Sequence, residues 1–340
     1  MNYVNWNKML FILILIVSSL YAISTNSLIN CWMGLELNLM AFIYLSHKNL
    51  NLMSKISIKY FLIQSLASMN FLFIIMMMEM NFHLSFYMIP FNQIMIMMIN
   101  MMMLIKMGAA PFHWWFPMVS EMLDWNNLLI LFTWQKLIPM VIIMYYSNLY
   151  LIILASIMSA LIGAYSGLNQ TSLRKILSYS SINHMSWMLI NIMMNLNLWK
   201  LYFLVYSYMN YMIIYFFNKM NLSFLNQMFF LKIKLSLKIM ILLNLLSLGG
   251  IPPFLGFMSK WLSIKFLMMY LNNQFFILLL IMCSLITLFY YLQISYSSIL
   301  LLNYKIANKI MLMNKKFLIM KINITSWILL NFVSIMFMLN

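Results

Sequence analysis

Leu104-Ile105-Lys106-Met107-Gly108-Ala109-Ala110-Pro111 decides how this chain is read. A lysine stands at the end of a long apolar run and is followed at once by small residues and a proline. Glycine and proline end a helix there, and a broken helix frees backbone carbonyls and amides. At membrane depth such a break is tolerated only inside protein or beside water. A charge near the middle of a span costs at least a few kcal/mol. The lysine therefore needs a partner or a hydrated cavity, and the stretch predicts an ion or proton path more than a lipid-facing wall.

Three further ionisable residues lie inside apolar runs. Glu36 sits in Trp32-Met33-Gly34-Leu35-Glu36-Leu37-Asn38, Lys136 in Thr133-Trp134-Gln135-Lys136-Leu137-Ile138-Pro139, and Lys260 in Gly256-Phe257-Met258-Ser259-Lys260-Trp261. A structural ion pair for Glu36 and snorkelling for the lysines are the bland alternatives. The sharper reading is a carboxylate that pairs with a lysine on a neighbouring helix and tunes its hold on a proton, since coupled titration is what a proton relay needs. His184, in Ser180-Ser181-Ile182-Asn183-His184, is either a packing residue or a neutral relay between lysines.

The rest of the composition fits a membrane protein. Of 340 residues 65% are hydrophobic and 7% charged, and the mean hydropathy is +0.94. A soluble domain is excluded, and alternating ten-residue strand patterns are absent, so the fold class is all-α and polytopic. The 41 methionines, with abundant Ile, Asn, Phe, Tyr and Lys, point to an AT-rich organelle gene in which AUA is read as methionine. The methionine runs are then packing filler. Two cysteines, Cys31 and Cys283, lie on apolar stretches with no metal-ligand spacing and read as inert buried thiols. The net charge of +16 is no nucleic-acid signal, because the basic residues sit in short loops between spans.

About eleven spans of ~20 residues are expected. They cover roughly 8–24, 26–46, 57–78, 90–119, 126–146, 149–167, 173–195, 199–218, 237–271, 274–302 and 318–339. The fourth is interrupted at Gly108–Pro111 and the ninth at Gly249-Gly250-Ile251-Pro252-Pro253. One side collects Lys8, Lys48, Lys55, Lys59, Arg174, Lys175, Lys219, Lys232, Lys234, Lys238, Lys305, Lys309, Lys315, Lys316 and Lys321; the other collects Lys200 and Lys265. That asymmetry puts the N-terminus in the compartment of synthesis, the matrix of a mitochondrion, and the C-terminus in the intermembrane space. The two broken spans share a design, and an offset of five helices would make the halves inverted repeats.

No iron–sulfur cysteine cluster, P-loop or dinucleotide fingerprint is present. Of the histidines only His113 and His184 lie in or near spans, too few for haem ligation across helices. Glu79, His83, Glu121 and Asp124 fall at span ends or in loops and read as solvated.

Taken with Lys106–Pro117, Gly167–Lys175 and Leu248–Phe257, these motifs resemble the antiporter-like membrane subunit family of NADH:ubiquinone oxidoreductase, respiratory complex I. Their order and spacing cover about residues 30–262. The resemblance implies a single antiporter-like transmembrane domain over 1–340, with two inverted five-helix repeats (about 8–146 and 149–302), two discontinuous helices and a C-terminal helix at about 318–339. It implies a Glu36–Lys106 pair, a central Lys136 and an exit lysine at Lys260; His184 is a weaker carry-over. Bacterial members are similar but carry three more N-terminal helices, and the resemblance implies the shorter form of animal mitochondrial versions, which start without them. The expected function is proton translocation in the mitochondrial inner membrane, coupled to electron transfer from NADH to ubiquinone elsewhere in the complex. This chain would bind no cofactor; NADH, FMN, iron–sulfur clusters and ubiquinone would belong to other subunits. Its partners would be other membrane-arm subunits and lipids. A freestanding cation/proton antiporter and a purely structural subunit are the competing readings. No buried Asp pair speaks for the former, and four in-span charges are costly scaffolding for the latter.

Overall fold

Where no water reaches the backbone, each segment has to satisfy its own hydrogen bonds, and this chain does so with helices. The computed structural model describes residues 6–46, 51–82, 89–229, 235–252, 254–270 and 274–300; of these, 51–55, 81–82, 89–92, 229, 235–240 and 297–300 are described by backbone alone. Among the described residues the regular elements are all helical. Pro253, His83, the expected helix 318–339 and several basic loop residues, namely Lys48, Lys232, Lys234 and the cluster from Lys305 to Lys321, lie outside them.

The chain divides into two compact units, Met1–Ser159 and Ala160–Asn340. In the first unit α1 (Trp6–Ser24) packs on α2 (Leu28–Ser46), α2 on α3 (Asn51–Phe82), and α3 on α4 (Ile89–Met107). The short α5 (Trp115–Met122) follows and lies against α3, and α6 (Trp125–Phe132) and α7 (Trp134–Tyr145) complete the group, with α7 against α4 and α1. Phe42, Phe71, Ile99, Met103, Leu104 and Leu128 fill its core. On α1, Leu10, Leu13, Val17 and Leu20 face outward while Leu15, Ser18, Ser19 and Ala22 face inward. An apolar outer face with small polar residues inside inverts the soluble pattern and suits a lipid surround. The helix α8 (Leu149–Leu168) carries the division between the units.

The second unit holds α9 (Leu173–Met194), α10 (Leu196–Met220), α11 (Leu225–Phe229), α12 (Leu235–Gly249), α13 (Leu255–Tyr270) and α14 (Gln274–Leu300). Here α10 packs on α9, α12 and α13, and α14 on α12, α13 and α9. Almost every side chain of α9 from Leu173 to Ile192 is buried, polar ones included.

Ten of the expected spans have helical counterparts among the described residues, within a few residues at most ends. Among the described residues six segments are long and apolar enough to cross a membrane, one of them Trp125–Tyr145, which takes in both α6 and α7. Of the rest, α4, α5, α12 and α13 are halves of interrupted spans, α9 is rich in serine and asparagine, and α10 carries Lys200, Asn210, Asn218 and Lys219 among its apolar residues. One expectation is corrected. The span 126–146, read as continuous, is interrupted at Thr133, where φ is −113° and α6 gives way to α7. The Thr133 hydroxyl donates to the Leu129 carbonyl at 2.8 Å, and this competition with the helix ladder bends helices. No glycine or proline marks the spot.

Candidate functional site

Each of the three in-span lysines lies at or near a break in its helix. Lys106 occupies the last turn of α4 and is 6% exposed. Gly108 then takes φ +68°. Its N–H donates to the Ile105 carbonyl and that of Ala109 to the Leu104 carbonyl, both at 3.1 Å. This pair of bonds is a Schellman cap, which needs a left-handed residue at the Gly108 position. Side chains serve the same end: Gln64 Nε2 donates to the Lys106 carbonyl at 3.2 Å and Trp115 Nε1 to the Ile105 carbonyl at 3.0 Å. Three of the freed carbonyls of α4, those of Leu104, Ile105 and Lys106, thus have donors other than the lysine ammonium. The Glu36 carboxylate, half-buried on α2, stands close enough for its charge to act on Lys106.

Phe116 connects this break to the second lysine. A Cβ on Gly108 would fall 2.8 Å from Phe116 Cβ, so the ring occupies space that only glycine leaves open. Phe116 stacks on Phe132 with centroids 5.6 Å apart. Lys136, 1% exposed, places Nζ 5.2 Å from the Phe116 centroid and 5.8 Å from that of Phe132. Both fall within cation–π range. Lys136 is on the first turn of α7, just past the Thr133 break. Its neighbour Gln135 donates to Asn38 Oδ1 at 3.1 Å, which ties α7 to α2 two residues beyond Glu36. Glu36, Lys106 and Lys136 all belong to the first unit, on α2, α4 and α7.

In the second unit Lys260, on α13, is 5% exposed and donates from Nζ to the Gly249 carbonyl at 2.8 Å. That carbonyl ends α12, where the helix dipole favours a cation. Gly250 follows with φ +87°, and a Cβ there would lie 3.1 Å from Lys260 Nζ. A Cβ on Gly256 would fall onto the Ser247 carbonyl oxygen. The predicted breaks at Gly108, Pro111, Gly249, Gly250 and Pro252 all coincide with interruptions; Pro253 lies outside the described residues.

His184 is 5% exposed on α9, and its Nδ1 meets the Tyr202 hydroxyl at 2.9 Å. His113 lies between α4 and α5, buried, with Nδ1 3.3 Å from the Pro111 carbonyl. Both cysteines are free and buried. Among the described residues no group of His, Cys, Asp or Glu is placed to hold a metal. Sequence reasoning did not find Phe116 and Phe132 as the face against Lys136, nor Gln64 and Trp115 as caps: Phe116 and Gln64 lie far along the chain from the groups they serve, and Phe132, four residues before Lys136, looks like any other apolar helix residue.

The family described as NADH:quinone oxidoreductase/Mrp antiporter, TM, matches residues 25–287. NADH-ubiquinone oxidoreductase chain 2 of Anopheles gambiae is 48% identical over 311 residues, 90% of this chain and 89% of that protein. The Bos taurus protein of the same name is 35% identical over 315 residues, 86% of this chain and 87% of that one. In fold, the chain is similar to a chain of respiratory complex I from Thermus thermophilus with bound aureothin, at a TM-score of 0.79 and 21% identity, covering 88% of this chain and 72% of that one. A helical membrane fold with lysines buried at its helix breaks, and this identity across nearly the whole chain, agree: the chain belongs to the NADH:quinone oxidoreductase/Mrp antiporter membrane family, and within it to the NADH-ubiquinone oxidoreductase chain 2 group.

Proposed function

We propose that this chain is a core membrane subunit of the proton-pumping NADH:ubiquinone oxidoreductase and carries protons through Glu36, Lys106, Lys136 and Lys260, with His184 as an additional relay. The observation that carries this reading is the repeated seat of the lysines. Each is at least nine-tenths buried, and each stands at or beside a helix break. A lysine so placed gives up water for a few protein groups, so its protonation follows small movements of those groups. At Lys106 the group is the Glu36 carboxylate, at Lys136 the Phe116–Phe132 pair, and at Lys260 the Gly249 carbonyl.

Quinone reduction elsewhere in the complex shifts the Glu36–Lys106 pair. Lys106 passes its change of protonation on to Lys136, and Lys136 to Lys260. The chain itself binds no redox cofactor; NADH, FMN, iron–sulfur clusters and ubiquinone belong to other subunits. Its partners are the other membrane-arm subunits and lipids. It lies in the mitochondrial inner membrane with the N-terminus in the matrix and the C-terminus in the intermembrane space, as the basic-residue asymmetry supports.

Lys136→Met tests the relay. Methionine fills similar volume against Phe116 and Phe132 and cannot carry a proton, and an apolar replacement of a buried charge need not harm folding. The expected result is normal complex yield with NADH-driven proton pumping lost in reconstituted vesicles. Pumping per NADH equal to that of the unaltered complex would make Lys136 structural. Should Lys136→Met fail to assemble, Lys136→Arg keeps the charge but cannot readily deprotonate, and pumping is again the readout.

A further inference from the structure

Between the turn that joins α1 to α2 and the last turns of α7 there is a cavity of about 350 Å³. All of its walls belong to the first unit. Protein interiors leave few voids larger than a water molecule, and a cavity of about 150 Å³ is already enough to hold benzene. A space of this size lies near the lower end of the range of small-molecule sites.

The cavity is graded from apolar to polar. Inward, its wall is Ala22, Cys31, Ile138 and Ile142, each at most 9% exposed. Cys31 Sγ donates to the Ala22 carbonyl at 3.2 Å, which turns the thiol toward the protein. At the outer end stand Thr25, Asn26, Tyr145 and Tyr146, which bring hydroxyl and amide groups, and Asn26 and Tyr145 are exposed. Tyrosines at the end of a membrane helix mark the boundary of lipid and water. From that boundary back to Ile138 the cavity follows α7 for about two turns, roughly 12 Å along the axis. Among the described residues that line it none is charged.

We propose that this cavity binds a neutral amphiphile, a hydroxyl-bearing head on one short apolar chain, of which a monoacylglycerol is the type. The head lies at the level of Thr25, Asn26 and the two tyrosines, and the chain runs along α7 toward Ile138. A phosphate or carboxylate head would give up water without a cation to pair with it. A plain hydrocarbon would gain nothing from the polar outer end. The modest volume suits one chain rather than the two of a phospholipid. The inference makes specific the lipid partner of the function proposed above; it rests on that reading for the membrane alone and makes no use of the relay.

Photolabelling of the whole complex in phosphatidylcholine vesicles tests this. The probe is a medium-chain monoacylglycerol with a diazirine at the chain end, and mass spectrometry places the adducts. The outward side of α3, where Leu62, Leu66 and Phe73 are each more than half exposed, is the internal control. Adducts on residues 22–31 and 138–146 are expected to exceed those on that side of α3 several-fold, and to fall when unlabelled monoacylglycerol is in excess. A phosphatidylcholine or fatty-acid probe with the same diazirine is expected to show no such enrichment. Adducts no denser than on α3, or not displaced, would overturn the site. Equal enrichment with the phosphatidylcholine or the fatty-acid probe would overturn the neutral occupant. Val141→Trp fills the cavity from its α7 wall and is expected to abolish the enrichment; Leu28→Trp does so from the α2 side should Val141→Trp lower the yield. Enrichment retained with the cavity filled would overturn its placement. The adducts are read without pumping, so failure of the Lys136→Met test leaves the site standing, and an absence of enrichment leaves the relay standing.

Discussion

The break after α4 and the break after α12 solve one problem in two ways. Both end a helix on a glycine with positive φ, Gly108 at +68° and Gly250 at +87°. After α4 the freed carbonyls are served by backbone amides and by Gln64 and Trp115, and the lysine ammonium stays out of the cap. After α12 the lysine comes from the following half-helix and reaches back, so that Lys260 Nζ is itself a partner of the Gly249 carbonyl. The difference teaches that a lysine beside a break need not serve the break. Lys106 answers to a carboxylate on another helix; Lys260 answers to the backbone of its own interrupted span.

The comparison is broken most forcefully at Gly256. An alanine Cβ there meets the Ser247 carbonyl oxygen, a backbone atom held in α12. Overpacking against a rigid group costs about 1–3 kcal/mol or more. Gly256→Ala is expected to lower the yield of intact complex sharply on native gels; near-normal yield would show that α12 and α13 do not need this close approach. Lys260→Met against Lys106→Met sharpens the contrast directly. The first leaves the Gly249 carbonyl without its donor, at about 1–3 kcal/mol for a buried unsatisfied group, and the second removes no cap. The solubilised complex should therefore melt at lower temperature with Lys260→Met than with Lys106→Met. Equal melting temperatures would erase the distinction between the breaks. The smallest effect is expected at Phe132→Leu, which removes one of the two rings facing Lys136. A cation–π contact is worth about 0.5–1 kcal/mol, up to about 2 when desolvated. A severalfold fall in pumping rate with normal yield is the expected outcome, and a rate unchanged within error would mean that the Phe132 ring is not needed for the seat.

Much of this was legible in the chain. Gly108, Gly249, Gly250 and the prolines mark their breaks because glycine permits positive φ and proline removes a donor. Glu36, Lys106, Lys136 and Lys260 stand out because ionisable groups in apolar runs are costly. The Thr133 break was not legible, since it rests on a side-chain hydroxyl competing with the helix ladder, and threonine does that in only some helices. The seats of the lysines were not legible either. Phe116 and Phe132 look like any other aromatic residues in an aromatic-rich sequence until folding stacks them beside Lys136. The polar side of α9 has a faint periodicity at 183, 187 and 191, but only the fold shows that these three residues are buried.

The fit of Phe116 against Gly108 has a mechanical meaning. The residue that lets α4 end is also the one whose bare Cα the aromatic ring rests upon, and the same ring faces Lys136. A rotation of the backbone at Gly108 would displace the ring in step, so the first helix end and the second lysine are geared by shape. A proton held at Lys136 would then register a movement of α4 through packing.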